Sequence, residues 1–120
     1  MNEQAIVKPT TLAEAAAEAD QLALRGAQRE LAQMRGEWDD ELEAAARSES
    51  FQERAVAYKA IGQFRFRQKL ELLKRGFDDA SPGCRGSALV SLELLSRRMI
   101  SGATRLPNSR RYRRPFSQSS

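Results

Sequence analysis

Apolar residues recur every three or four positions along most of the chain, which is the spacing of one face of an α-helix. In the N-terminal third this face is narrow and rich in alanine, a composition that favours close approach of two helices. Thr11 and Glu14 form a capping-box pattern at its start, and Gly36 is a natural stop. The pattern predicts a long first helix over about residues 11–35, interrupted by Gly26 at some cost in stability.

Two further helices are predicted in the middle of the chain. A short acidic helix over about residues 38–47 begins with aspartates, which the positive end of a helix dipole favours. Ser50 then opens a second capping box, followed by a regular apolar stripe. We place this third helix over about residues 51–75, with Gly76 in the left-handed position that ends it. Whether residues 36–50 break the helix or continue it stays open.

A fourth helix is predicted over about residues 82–101. Ser81 is its N-cap, Pro82 occupies the first helical position, where a missing N–H is no loss, and Gly102 ends it. Its apolar residues extend almost all the way round, which predicts a central, buried helix. We expect the third and fourth helices to form an antiparallel hairpin, with the first helix packed on it or projecting as a dimerisation arm.

The chain therefore divides into three parts. Residues 1–10 are a polar, flexible leader, residues 11–102 form a single helical domain, and residues 103–120 show neither apolar periodicity nor any acidic residue. Because this last part cannot bury enough apolar surface to offset its ordering entropy, we expect it to be disordered when free. The predicted fold is all-α, a small helical bundle or helical hairpin with a long N-terminal helix and a disordered basic C-terminal tail.

Composition narrows the chemistry. The chain has no histidine and one cysteine, Cys84, so His-based nucleophile pairs and zinc sites built from histidine or several cysteines are excluded. We expect no enzyme activity, no metal and no cofactor. No apolar run is long enough to span a bilayer, and the start lacks the features of a signal peptide. A lone cysteine fits a reducing compartment, so the expected location is cytoplasmic.

The net charge of +4 hides a gradient along the chain. Residues 1–50 carry five basic and eleven acidic side chains, whereas residues 81–120 carry eight basic side chains and one acidic. Such asymmetry indicates an electrostatic role toward an anionic partner. The acidic and basic parts could equally face each other within a monomer or an antiparallel dimer.

Candidate binding residues follow from this basic charge. Arginine binds phosphate through two donors at once, and an interleaved aromatic ring can stack on bases. Arg65 and Lys69, four apart on the predicted third helix, would share an outward face that extends the footprint of the tail, or else form an ordinary solvated face. The candidate nucleic-acid-binding residues are Arg65, Lys69, Arg105, Arg110, Arg111, Tyr112, Arg113 and Arg114.

Residues 87–98, Ser-Ala-Leu-Val-Ser-Leu-Glu-Leu-Leu-Ser-Arg-Arg, resemble the Ala-Leu-Glu-Leu-Leu-Gly helix of phage terminase small subunits. The resemblance covers about a dozen residues of 120. Those proteins usually carry an N-terminal helix-turn-helix, which the acidic, alanine-rich opening of this chain does not match. What the resemblance implies is a phage or plasmid DNA-handling factor.

Two functions from different classes follow from these residues. The first is a non-enzymatic nucleic-acid-associated accessory protein that binds the phosphate backbone of DNA or RNA through the basic tail and a basic helix face. The alternative is a protein–protein adaptor or structural subunit whose tail docks on an acidic protein surface. Neither needs a membrane, and self-association as a homodimer is compatible with both.

Overall fold

Five α-helices and one 3-10 turn make up the part of the chain that the computed structural model describes, residues 9–104 for the backbone and residues 9–96 for the side chains. No strand occurs among these residues. The elements are α1 (Leu12–Arg25), α2 (Gln28–Ala46), α3 (Phe51–Gln63), the 3-10 turn (Arg67–Lys69), α4 (Leu70–Phe77) and α5 (Pro82–Thr104). The predicted all-α small helical bundle is confirmed. The predicted flexible leader and disordered tail fall mostly outside the described residues, but Gly102 does not end the last helix, which continues to Thr104.

The predicted capping residues open their helices as expected. The Thr11 hydroxyl accepts a hydrogen bond from the Glu14 N–H at 3.1 Å, and the Ser50 hydroxyl accepts one from the Glu53 N–H at 3.3 Å. The Glu14 carboxylate accepts from the backbone N–H and hydroxyl of Thr10, and these bonds lower its pKa. Local side-chain chemistry therefore defines the starts of α1 and α3.

The predicted first helix over 11–35 is in fact two helices, and Gly26 separates them. Gly26 has φ +75° and ψ 19°, the left-handed conformation, and its N–H donates to Ala23 O at 3.1 Å. The next N–H, of Ala27, donates to Leu22 O at 2.9 Å, so the two bonds together form a Schellman motif. Gly36 does not stop α2, which continues to Ala46. The helix predicted over 38–47 is therefore the second half of α2.

The predicted 51–75 helix is also wrong, because the chain leaves the helical path at Arg65. Phe64 and Phe66 are both buried, with ring centroids 6.4 Å apart. Residues two apart on a helix point about 200° away from each other, so one helix could not bury both rings on the same side. Arg65 between them adopts φ +55°, which turns the chain so that both rings enter the core. Burial of both phenylalanine rings is therefore favoured over continuation of the helix at this point.

Gly76 does not end a helix in the left-handed conformation, as predicted, but lies inside α4, whose C-cap is Asp78 with φ −103°. A β-carbon at Gly76 would lie 2.9 Å from the β-carbon of Ala88 and 3.0 Å from the Tyr58 ring. The glycine therefore serves close packing of α4 against α5 and α3, a need that the local sequence pattern does not reveal.

α5 packs along α3 in the same direction, so the predicted antiparallel hairpin is wrong for this pair. The Cys84 thiol donates to Phe51 O at 3.2 Å near the start of both helices, and the Ser91 hydroxyl accepts from the Gly62 N–H at 2.8 Å near the end of α3. The Ser91 hydroxyl also donates to Tyr58 O. α4 runs back between these two levels and is the antiparallel neighbour of α5.

The expectation that α5 is buried all round is likewise wrong. Its buried side chains, Cys84, Ala88, Ser91 and Leu95, share one face that packs on α3 and α4. The exposed fractions of Leu89, Val90 and Leu92 are 59%, 42% and 40%. α5 is thus a one-sided helix, and Leu89, Val90 and Leu92 face outward.

A salt bridge joins the first turn of α3 to the loop between α4 and α5. Arg54 Nε and Nη2 donate to the two carboxylate oxygens of Asp79 at 2.8 and 3.0 Å, a bidentate geometry. Arg54 Nη1 also donates to the backbone oxygens of Ser48 and Glu49 at 3.0 and 3.1 Å. The Ser81 N–H donates to Asp79 at 2.9 Å. The Arg54 hydrogen bonds, with the Ser81 bond, lower the Asp79 pKa to about 2.

Stability is expected to fall as the pH drops from about 4 to about 2, because protonation of Asp79 breaks this bridge. In the unfolded chain the Asp79 pKa returns to its usual value near 4, so the stabilisation is complete above that pH and disappears through the folded pKa. Asp79→Asn should remove this part of the acid-induced loss, on the order of 1 kcal/mol. Urea unfolding at several pH values measures it. Asp78→Asn, at the exposed neighbouring residue, is the control, and equal curves for the two variants would contradict the prediction.

Candidate functional site

Of the eight predicted binding residues, the structure describes only Arg65 and Lys69. The other six, Arg105, Arg110, Arg111, Tyr112, Arg113 and Arg114, lie outside the described residues. Their part in binding therefore stays a prediction from the sequence.

Arg65 lies against the end of α3 and does not project from a helix surface. Its side chain is only 9% exposed, and Nη1 is 3.0 Å from the Asp20 carboxylate of α1. The same nitrogen donates to the backbone oxygens of Gly62 at 2.8 Å and Gln63 at 3.2 Å. Because the C-terminal end of a helix is negative, a guanidinium there is stabilising. Arg65 thus ties α1 to the end of α3.

Lys69 is equally internal. Its side chain is 14% exposed, and Nζ is 2.6 Å from both Asp39 Oδ1 and Glu43 Oε2 of α2. The ammonium also lies 5.2 Å from the centroid of the Phe66 ring. Burial opposes its charge, but the bonds to Asp39 and Glu43 outweigh burial and raise the Lys69 pKa. Those bonds hold the Glu43 pKa below its usual value.

The outward face predicted for Arg65 and Lys69 is therefore wrong. The prediction assumed one continuous helix, and the turn at Arg65 removes the four-residue register on which it depended. Both cations neutralise carboxylates of the acidic N-terminal half. Part of the charge gradient along the sequence is thus compensated inside the bundle.

The structure instead brings together three arginines that the sequence did not group. Arg35 of α2, Arg65 and Arg67 line a cavity of about 140 Å³ together with Gln28 and Gln68. Arg35 Nη1 donates to Phe64 O at 2.9 Å, and Arg67 Nη2 donates to Leu95 O at 3.4 Å. The lining residues include no carboxylate, but Asp20 next to the cavity compensates the charge of Arg65. No local signal could have found this cluster, because Arg35 lies about thirty positions away along the chain.

A groove with acidic side chains in its lining lies between the start of α1, the second half of α2 and the first half of α3. Its volume is about 760 Å³. Apolar and small residues form most of its lining, with carboxylates from two helices, and the lining residues are Thr10, Thr11, Leu12, Ala13, Asp40, Glu41, Ala44, Ala45, Gln52, Glu53 and Val56. The lining contains no cation. The charged side chains that line this groove are thus all acidic.

The described part of the chain contains no candidate metal-ion site and no candidate membrane-spanning helix. No group of three acidic or cysteine side chains there could hold a metal ion. Among the same residues, no helix combines the length and apolar character needed to cross a membrane. Cys84 is buried, and its thiol is used to hold the start of α5 to the backbone of α3.

Comparison with known proteins identifies no relative. No protein-family model matches the chain, and neither the curated proteins nor the solved structures contain a significant match. The resemblance of residues 87–98 to terminase small subunits is therefore not extended by any of these comparisons. Function must be inferred from the side chains and their geometry.

Proposed function

We propose that this chain is a non-enzymatic cytoplasmic accessory protein that binds the phosphate backbone of nucleic acid through its basic tail. The observation that carries the proposal is the content of residues 103–120, five arginines without a single acidic residue. α5 extends 13 residues past Ser91, the level of the α3–α5 crossing, which is about 20 Å of helix. The arginines therefore follow an extension of the bundle.

The chemistry of the tail suits phosphate more than base edges. Arginine donates two parallel hydrogen bonds to a phosphate, and Tyr112 can stack on an unpaired base. Contacts of this kind supply affinity that depends on salt and little on sequence. The arginine-lined cavity is a second place on the bundle where guanidinium groups lie together. Arg65 and Lys69 could contribute to phosphate binding only if they exchanged their present carboxylate partners for phosphate. A phage or plasmid DNA-handling role is one setting for such a protein.

Replacing Arg110, Arg111, Arg113 and Arg114 with glutamine should weaken nucleic-acid binding and make it less sensitive to salt. Each lost phosphate contact lowers the slope of log affinity against log salt by about 0.9 for duplex DNA, so four contacts lower it by roughly 3 to 4. The loss of affinity between about 50 and 200 mM salt should then be roughly 100-fold smaller than in the unchanged chain. Fluorescence anisotropy with generic duplex and single-stranded oligonucleotides measures both quantities.

Four exposed cations on the helices form the matched control. Arg25, Arg29, Lys59 and Arg75 are exposed, and their side chains take part in none of the ion pairs of the described residues. Replacing them with glutamine removes the same charge and should leave most of the salt slope in place. An unchanged slope in the tail variant, or equal slopes in the two variants, would refute a tail-borne phosphate site.

The protein–protein adaptor is the second candidate, and the outward apolar side chains of α5 favour it. Leu89 and Leu92 are three residues apart and lie on one side of the helix, with Val90 also exposed. Exposed apolar patches on proteins of this size often mark contact sites for other proteins. A stoichiometric protein partner that stays bound after nuclease treatment would favour this candidate over the first.

A further inference from the structure

The groove between α1, α2 and α3 has the properties of a receptor for a short basic and aromatic segment. Leu12, Ala45 and Val56 supply apolar lining, and small side chains leave room for a ring. Asp40 and Glu41 come from α2, and Glu53 comes from α3. None of these three carboxylates forms an ion pair with another side chain in the described structure. They stand in contrast to Asp20, Asp39, Glu43 and Asp79, each of which is paired with a cation.

One segment of the chain matches this groove in both respects. Residues 110–116, here called the tail segment, read Arg-Arg-Tyr-Arg-Arg-Pro-Phe. Four guanidinium groups would face three carboxylates, and the two rings would have apolar lining to cover. The residues nearest the groove along the chain, 1–8, contain a single cation, Lys8, and an acid, Glu3, so they match its charge poorly.

We propose that this groove binds the tail segment of a second copy of the chain. The length of the tail argues against binding within one molecule. Cys84 of α5 lies level with Phe51 at the start of α3, and Thr104 is 20 residues further on, about 30 Å along the helix. A fully extended chain from Thr104 to Tyr112 reaches at most about 29 Å.

The direction of the groove lengthens the path further. Gln52, Glu53 and Val56 line it, whereas Tyr58 and Gly62 contact α5. At 100° per residue these two sets lie on nearly opposite sides of α3. A tail returning to its own groove must therefore pass around α3, which adds about one helix diameter of 10 Å. The tail of a second copy has no such restriction.

Reciprocal exchange follows from the presence of one groove and one tail segment in every copy. Each molecule inserts its tail segment into the groove of its partner, and the twofold arrangement closes on itself without leaving an unfilled site. The contact is largely ionic at its rim, so the dimer should weaken as salt is raised. The proposal does not depend on nucleic-acid binding, because the dimer forms from protein alone.

Sedimentation of nuclease-treated, full-length protein tests the proposal. The unchanged chain is expected to dimerise. The groove variant, Asp40→Asn with Glu41→Gln and Glu53→Gln, should raise the dimer Kd at least tenfold. The Arg→Gln variant at the four tail-segment arginines should do the same. Because both variants remove one contact, combining them should weaken the dimer little more than either alone.

The matched control neutralises three exposed carboxylates elsewhere, by Glu30→Gln, Glu49→Gln and Glu71→Gln, and should leave the dimer Kd unchanged. Circular dichroism confirms that each variant is folded. A monomer at all concentrations would overturn the proposal, as would a dimer that the groove variant does not weaken. A monomer whose groove amides shift in NMR when the tail arginines are replaced would indicate binding within one molecule. Deletion of residues 1–8 should leave the dimer intact, and its loss would assign the contact to the leader.

Discussion

Replacing Gly62 with alanine is expected to lower the free energy of unfolding by about 3 kcal/mol, because α3 and α5 touch at this residue. An added β-carbon would lie 2.6 Å from Ser91 Cα and 2.7 Å from its hydroxyl oxygen. The first contact is with backbone, so rotation of a side chain cannot relieve it, and overpacking of this kind costs about 1 to 3 kcal/mol. Separation of the helices would also strain the hydrogen bond from the Gly62 N–H to the Ser91 hydroxyl, and both groups are buried.

Gly36→Ala is the matched control for this prediction. Gly36 lies inside α2, and nothing lies within 4 Å of a β-carbon built there. Alanine is favoured over glycine inside a helix by roughly 0.5 to 1 kcal/mol, so this variant should be slightly more stable. Urea unfolding followed by circular dichroism measures both variants. If Gly62→Ala is as stable as the unchanged protein, the close crossing of α3 and α5 is wrong.

The second large effect is expected at Phe64. Phe64→Ala should cost about 3 to 5 kcal/mol, the range for removing a fully buried phenylalanine ring. Phe64 is also the C-cap of α3, and its carbonyl oxygen accepts the Arg35 guanidinium. The ring anchors the turn at Arg65, and without it the strained left-handed residue loses part of its support. The thermal midpoint and the urea midpoint should both fall.

Phe51→Ala removes the same side chain at a site where half of it is exposed, at the start of α3. We expect a loss of less than about 1 kcal/mol, because half the ring already contacts water. The backbone oxygen of Phe51 that accepts the Cys84 thiol is unchanged. Equal losses at the two positions would mean that Phe64 does not occupy the core.

Features that depend on neighbouring residues could be predicted from the sequence. Thr11, Ser50 and Ser81 each act within three residues of their own position, and all three N-caps are found where the pattern placed them. The all-α class follows from the same helical spacing. Gly26 and Gly36 show the limit, since both interrupt a helical pattern but only Gly26 adopts the left-handed conformation. The local sequence pattern does not distinguish the two.

The candidate sites could not be predicted from the sequence, because they depend on contacts between segments that are distant along the chain. Helical spacing extended through Phe64 and Phe66 predicts one shared face for Arg65 and Lys69, whereas burial of both rings requires a turn between them. The arginine-lined cavity joins residues from α2 and from the segment after α3, and the acid-rimmed groove joins three helices. Spacing along the chain carries no information about contacts between segments thirty positions apart.

The crossing of α3 and α5 supplies a way to recognise distant relatives of this chain. Because Gly62 and Ser91 occupy one space, a larger residue at either position requires a smaller residue at the other, so the two positions should vary together. Gly76 and Ala88 form a second pair of this kind, because a β-carbon added at Gly76 would lie 2.9 Å from the β-carbon of Ala88. Two coupled small-residue pairs, whose members are 29 and 12 residues apart in sequence, describe the bundle core more specifically than its leucines do.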